Sequence, residues 1–136
     1  MIASFDDLFG LPSNKISPFC ILTPFLTKGF LNGLGASKIY RGNPYQTVCG
    51  QTGSLIETRV GCSFAGDAVL LLNGSPCRRL LFVGSCGSLD SKKFPIGSVI
   101  TLQDCYAMEK FSAMLNPPLA FDHIMVPDKD FFHELT

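Results

Sequence analysis

The chain has 136 residues, of which 46% are hydrophobic and 16% are charged. That composition suits one domain with a hydrophobic core and excludes a disordered chain. Eleven basic and eleven acidic residues balance, so no basic surface indicates a nucleic-acid partner. The N-terminus lacks the features of a signal peptide, and no stretch is apolar for long enough to cross a membrane. We therefore expect a cytoplasmic protein with neither nucleic-acid nor membrane partners.

The thiols and imidazoles do not form a metal-binding pattern. Cysteine occurs at six positions, none of them spaced as Cys-x-x-Cys: Cys20, Cys49, Cys62, Cys77, Cys86 and Cys105. We interpret them as buried free thiols of a reducing compartment, because most lie in apolar segments. The two histidines are ten positions apart in the sequence and do not complete a ligand set. The sequence therefore predicts no metal site.

The first third of the chain predicts an arm, a strand and a helix. Residues 1–18 are rich in polar residues and proline, and we expect an irregular arm. The apolar run 19–22 predicts the first buried strand. Thr23 and Pro24 are typical of an N-cap and a first helical residue, and Gly35 is typical of a helix end.

The middle of the chain predicts a hairpin and a second helix. Segments 45–49 and 54–60 predict two strands joined by a turn at 50–53. The second segment alternates polar and apolar residues, which favours a half-exposed antiparallel strand. Ser63 is a reasonable N-cap for a helix that ends near Gly74.

The most informative stretch is 79–90, an apolar run that breaks into glycine and serine. Gly84 and Gly87 allow backbone angles that a side chain would forbid, and Ser85 and nearby N–H groups can bind an anion. Open α/β sheets place ligands at such strand ends. From these residues alone, a turn that only reverses the chain is an equal alternative. The segment 97–102 predicts the next strand.

Two motifs together carry a resemblance to a known family. Val83-Gly84-Ser85-Cys86-Gly87-Ser88-Leu89 followed by Pro95-Ile96-Gly97-Ser98-Val99-Ile100-Thr101 resembles the signature of the nucleoside phosphorylase/nucleosidase superfamily. This resemblance implies a three-layer α/β/α domain with a mixed twisted sheet, in which residues 1–136 form the N-terminal portion. It also implies a nucleoside substrate, cleavage of the N-glycosidic bond, phosphate as a possible co-substrate, no further cofactor, and a homo-oligomer.

The resemblance also implies a set of residues in or near the substrate pocket. They are Gly84, Ser85, Cys86, Gly87, Lys28 and Arg41. Ser85 matches the serine or threonine that binds phosphate, or that lines the water and sugar pocket. Lys28 and Arg41 are cations that could contact an anion, with a solvated helix residue and an exposed turn residue as the respective alternatives.

Three departures from the family pattern limit what it implies. Phe82 stands where many phosphorylases have an arginine, which favours a nucleosidase because an apolar ring cannot hold a phosphate dianion. Where the nucleosidases have a water-activating glutamate, this chain has Thr23-Pro24-Phe25. The base-binding segment and the leaving-group aspartate belong to a later part of the family's chain, and Met108-Glu109 does not replace them. We therefore expect residues 1–136 alone to be inactive.

Two alternatives to a nucleoside-cleaving enzyme remain open. One is a non-catalytic relative that binds a nucleoside or serves in an assembly. The other is an unrelated α/β domain with a coincidental Gly-Ser turn.

Overall fold

The structure, a computed structural model, describes residues 3–107, 114 and 123–130. The chain divides into two compact units, Met1–Ser85 and Cys86–Thr136.

The first unit is built on a mixed five-stranded sheet with the order β2-β3-β4-β1-β5. Its strands are β1 (Phe19–Thr23), β2 (Ile39–Arg41), β3 (Gln46–Cys49), β4 (Ser54–Glu57) and β5 (Arg79–Phe82). Its helices are α1 (Phe5–Phe9), α2 (Lys28–Leu34) and α3 (Cys62–Leu72), with a 3₁₀ turn at Ser13–Lys15. Strand β1 pairs parallel with β4 and with β5. Strand β3 pairs antiparallel with β2 and with β4. The α/β class expected from the sequence is therefore confirmed.

Helices cover both faces of the sheet. Adjacent residues of a strand point to opposite faces, so their core partners show which helix lies on which face. Ile56 belongs to a core cluster that includes Ala68 and Leu72 of α3. Its neighbour Leu55 belongs to a second cluster that includes Leu34 of α2. Helices α3 and α2 therefore pack against opposite faces of the same strands.

The first 18 residues are not the irregular arm that the sequence predicts. Helix α1 begins with a capping box in which Ser4 and Asp7 exchange hydrogen bonds with each other's backbone. At its end Phe9 is fully buried, and its ring stacks on Phe5 at 4.3 Å and on Tyr45 at 4.7 Å. The helix cannot be recognised from the sequence, because a helix of five residues is too short to show a helical period. The segment is thus part of the core.

Helix α2 begins later than predicted. Thr23 is the last residue of β1, and its hydroxyl donates to the Phe25 carbonyl at 3.1 Å. Thr27 is the N-cap, and its hydroxyl accepts from the Phe30 N–H at 3.4 Å. The predicted end is confirmed, since Gly35 follows the helix with a left-handed φ of 63°.

The predicted strands 45–49 and 54–60 form as the shorter β3 (Gln46–Cys49) and β4 (Ser54–Glu57), and β4 is not half-exposed. Leu55 and Ile56 are both fully buried, because β4 lies inside the sheet with helices on both faces. Helix α3 begins at Cys62 after Gly61, so Ser63 is not its N-cap.

The second unit contains strands β6 (Cys105–Ala107) and β7 (His123–Met125), which pair antiparallel. The strand predicted at 97–102 is wrong. Those residues have no regular structure, and Val99 and Leu102 are exposed. β-branched residues favour a strand only where a partner strand pairs with them. The sequence also predicts a proline-rich loop over 112–127 and the first turns of a helix over 127–135, and most of these residues lie outside the described part of the chain.

The cysteines are free thiols as expected, but most of them are not buried. Cys20 is buried, Cys49 and Cys77 are half-buried, and the thiols of 62, 86 and 105 are exposed. In the described ranges no group of histidine, cysteine and carboxylate residues could hold a metal ion. Likewise, no helix seen in the described part has the length and apolarity of a membrane span.

We expect Thr47→Val to raise the free energy of unfolding by about 1 kcal/mol. Thr47 is fully buried on β3, and its hydroxyl has no hydrogen-bond partner. Valine has nearly the same shape and removes that unpaired group. Urea unfolding measures the change, with Thr47→Ser as the control that keeps the hydroxyl and loses a methyl group. A valine variant less stable than the wild type would contradict this burial.

Candidate ligand site at the carboxyl edge of the sheet

The loops after β1, β4 and β5 leave the sheet at one edge, because these three strands are parallel. The Thr58 N–H donates to the Thr23 carbonyl at 2.8 Å, and the Val83 N–H donates to the Leu22 carbonyl at 2.8 Å. These bonds keep the strand ends in register just before each chain turns away. The edge they form is the usual ligand position in open α/β sheets.

Polar side chains form a row along this edge on the α2 face. The row consists of Arg41, Gln46, Glu57 and Thr23, which are successive cross-strand partners on β2, β3, β4 and β1. We call it the polar row. Partners in register point to the same face of a sheet, so these side chains share one face. One guanidinium nitrogen of Arg41 donates to Gln46 Oε1 at 3.4 Å.

Glu57 is the residue at this edge that sequence reasoning missed. It is half-buried, and its Oε1 accepts from the Leu26 N–H at 3.1 Å. The carboxylate therefore fastens the loop after β1 to the end of β4. The family resemblance implies a glutamate just after the first strand, and this chain has none there. Strand β4 pairs with β1, however, and so brings Glu57 beside Thr23. Its only sequence signal is a charged residue that ends an apolar run.

The other face of the edge carries the start of α3. The connection from β4 includes Arg59, at a left-handed φ of 64°, and Gly61 at 128°. The Arg59 Nε–H donates to the Pro44 carbonyl at 3.1 Å, and the Thr58 hydroxyl is placed to donate to the Thr23 carbonyl at 3.4 Å. The turn therefore directs the positive end of an 11-residue helix to the same edge as the strand ends.

The Gly-Ser stretch after β5 is open rather than a tight turn. Residues 83–88 have no regular structure or hydrogen-bonded turn. Gly84 and Gly87 do not use the backbone freedom that glycine allows, since among the described glycines a positive φ occurs at 10, 35, 61 and 97. A Cβ at Gly87 would meet nothing within 4 Å. A Cβ at Gly84 would lie 3.0 Å from the Phe82 ring, so of the two positions only Gly87 has open space for a side chain.

The residues of the implied pocket are distributed as follows. Ser85 is exposed and ends the first unit, immediately after the edge. Cys86 and Gly87 are exposed and begin the second unit. Lys28 is the exposed first residue of α2. Arg41 is exposed and ends β2, so it does not lie in the turn that the sequence suggests.

The edge combines groups of different chemistry. The Glu57 carboxylate accepts hydrogen bonds from ligand hydroxyls, and the Arg41 guanidinium and the start of α3 favour an anion. At the end of β5, Phe82 is 53% exposed and presents an aromatic surface on the α3 face, because its partner Leu22 belongs to the core cluster that α3 completes. The α2 face of this edge thus offers a carboxylate and a guanidinium, and the α3 face offers the start of a helix and an aromatic ring.

We expect Glu57→Leu to loosen the loop after β1 and Glu57→Gln to retain it, because the glutamine carbonyl still accepts from the Leu26 N–H. Amide hydrogen exchange of Leu26 is the measurement, and we expect exchange to accelerate by about tenfold in the leucine variant, as for a lost hydrogen bond of about 1.4 kcal/mol. Equal acceleration in both variants would show that the bond does not hold the loop.

Comparison with protein-family models, with curated proteins and with solved structures found no match for this chain.

Proposed function

We propose that the carboxyl edge of the sheet binds a nucleoside, and that the chain is the N-terminal part of a nucleoside phosphorylase/nucleosidase-like domain of three-layer α/β/α form. The observation that carries the proposal is the meeting of the polar row with the ends of β1, β4 and β5 at one edge. That arrangement supports a ligand position next to the motif at 83–89.

The roles follow from the chemistry of each group. The Glu57 carboxylate accepts hydrogen bonds from the sugar hydroxyls, as acidic residues at strand ends do for ribose. Ser85 contacts the phosphate, or the water and sugar, at the end of β5. The exposed ring of Phe82 stacks against the base or the sugar face.

The N-glycosidic bond can be cleaved by water or by phosphate, and cleavage by water is the better supported of the two reactions. Phosphorolysis needs several donors around a dianion. Phe82 offers none at the position where an arginine is common, and Glu57 supplies a carboxylate that can activate water. Substitution of the arginine by an apolar ring also supports a second candidate, a relative that binds a nucleoside without cleaving it.

Binding is the readout that tests the proposal, because we expect residues 1–136 alone not to cleave a nucleoside. Calorimetric titration with adenosine, inosine and uridine, each with and without phosphate, should give saturable binding of at least one of them. Ser85→Ala and Glu57→Leu should weaken it by about tenfold each, the loss of one hydrogen bond. Binding strengthened by phosphate would favour a phosphorylase.

Ser37→Ala is the matched control for these variants. Ser37 is exposed and precedes β2, at the opposite edge of the sheet. Its variant should bind as the wild type does. No binding of any nucleoside by the folded wild-type chain would contradict the proposal.

A further inference from the structure

A groove lies between the end of α3 and the start of β5. It is at the amino ends of the parallel strands, whereas the polar row is at their carboxyl ends. Its volume is about 330 Å³. It is lined by Val69, Leu70, Leu72 and Asn73 of the α3 end, and by Cys77, Arg78 and Leu80 before and in β5. The groove is mostly apolar and presents one thiol and one guanidinium.

The thiol and the guanidinium are neighbours within the groove. Cys77 is half-buried, and its thiol donates to the Arg79 carbonyl at 3.5 Å. The Arg78 guanidinium donates to the Ser75 carbonyl at 3.0 Å and to the Cys77 carbonyl at 2.8 Å. These two bonds hold a positive charge beside Cys77, where it attracts an anionic molecule that enters the groove.

A second thiol lies behind the first. Cys20 is fully buried on β1, and its Sγ donates to the Ser17 carbonyl at 3.3 Å. The N–H groups of Arg78 and Arg79 both donate to the Pro18 carbonyl, at 2.8 and 2.9 Å, and Cys77 packs against the core cluster that contains Cys20. Burial, and then the Cys77 thiol, raise the pKa of Cys20. The accessible Cys77 is therefore the thiol that reacts first.

We propose that Cys77 is a thiol–disulfide exchange site for small anionic disulfides of the glutathione type, with Cys20 as its resolving thiol. The Cys77 thiolate attacks one sulfur of the small disulfide, which forms a mixed disulfide and releases one thiolate. The released thiolate takes the proton of the Cys20 thiol, and the Cys20 sulfur then attacks Cys77 Sγ and releases the second thiolate. Two protein thiols are oxidised, and one small disulfide is reduced to two thiols.

Cys49 is the competing partner, and the sheet places it farther away. Ser54 lies between the two residues, since it pairs with Cys20 on one side and with Cys49 on the other. The Ser54 hydroxyl lies 3.6 Å from the Cys49 sulfur and 3.0 Å from the Ser17 hydroxyl. Neighbouring strands are about 4.8 Å apart, so cysteines two strands apart exceed disulfide reach. A disulfide with Cys49 is therefore not expected.

The test uses the full chain in which the exposed Cys62, Cys86 and Cys105 are replaced by serine, so that they do not react. The folded protein is incubated with oxidised glutathione and followed by non-reducing intact mass and peptide mapping. We expect one transient glutathione adduct on Cys77, followed by a Cys20–Cys77 disulfide with the loss of two hydrogen atoms. Circular dichroism before and after oxidation shows that the protein stays folded.

Single variants in the same background separate the two steps. Cys20→Ser should keep the adduct on Cys77 and lose the second step, and Cys20→Ala is measured in parallel because it adds no hydroxyl to the core. Cys77→Ser should lose both products, whereas Cys49→Ser should react as the parent does. An unmodified Cys77 in the folded parent, or equal resolution without Cys20, would overturn the proposal. Binding of a nucleoside does not enter either result.

Discussion

Replacing Phe9 with alanine is expected to lower the free energy of unfolding by about 3–5 kcal/mol, a large part of the stability of a domain of this size. Phe9 is fully buried, and its ring stacks between Phe5 and Tyr45. The Tyr45 hydroxyl donates to the Phe64 carbonyl at 3.1 Å, which extends the contact to the start of α3. Deleting the ring opens a cavity between the first helix and the sheet.

Urea unfolding followed by circular dichroism measures this loss. Phe25→Ala is the matched control, because Phe25 is 38% exposed and its ring lies 6.4 Å from that of Phe30 in a tilted contact. We expect the control to cost about 1 kcal/mol, the worth of a partly exposed aromatic contact. Equal costs for the two variants would show that residues 5–9 do not belong to the core.

Replacing Gly50 with alanine is expected to lower the free energy of unfolding by about 3 kcal/mol through overpacking. A Cβ at this position would lie 2.2 Å from the Leu34 carbonyl oxygen and 2.7 Å from Leu34 Cβ. The Gly50 N–H donates to the Gly53 carbonyl, and the Gln51 N–H donates to the Leu34 carbonyl, both at 2.9 Å. The hairpin turn and the end of α2 are thus fixed against each other and cannot separate without losing these bonds.

Gly33→Ala serves as the control for that substitution. Gly33 is in α2, and an added Cβ would meet nothing within 4 Å. Alanine favours a helix over glycine, so we expect this variant to gain about 0.5–1 kcal/mol. Thermal unfolding of both variants should therefore move in opposite directions. A Gly50→Ala variant as stable as the wild type would mean that the turn does not contact α2.

Features with local signals could be predicted from the sequence. The apolar run of β1, the hairpin between β3 and β4, and the glycine that ends α2 each depend on neighbouring residues. Helix α1 could not be predicted, because its burial depends on Tyr45, which lies far along the chain. The strand expected at 97–102 has the residue types of a strand, but no described strand pairs with it.

The candidate site illustrates the same limit. Ser85 could be predicted because a motif surrounds it. Glu57 could not, since its place beside Thr23 depends on β4 pairing with β1. Arg41 joins the same edge only because β2 runs antiparallel to β3, which sets its direction. Strand order is a property of the whole sheet, and a single segment carries little information about it.

The most direct test of the nucleoside proposal is an NMR titration of the isotopically labelled chain with a nucleoside, with and without phosphate. We predict saturable shifts of the backbone amides of Leu26, Glu57, Thr58 and Ser85, and little change at Ser37 on the opposite edge. Unchanged spectra, or shifts confined to residues away from the carboxyl edge, would contradict a nucleoside site there.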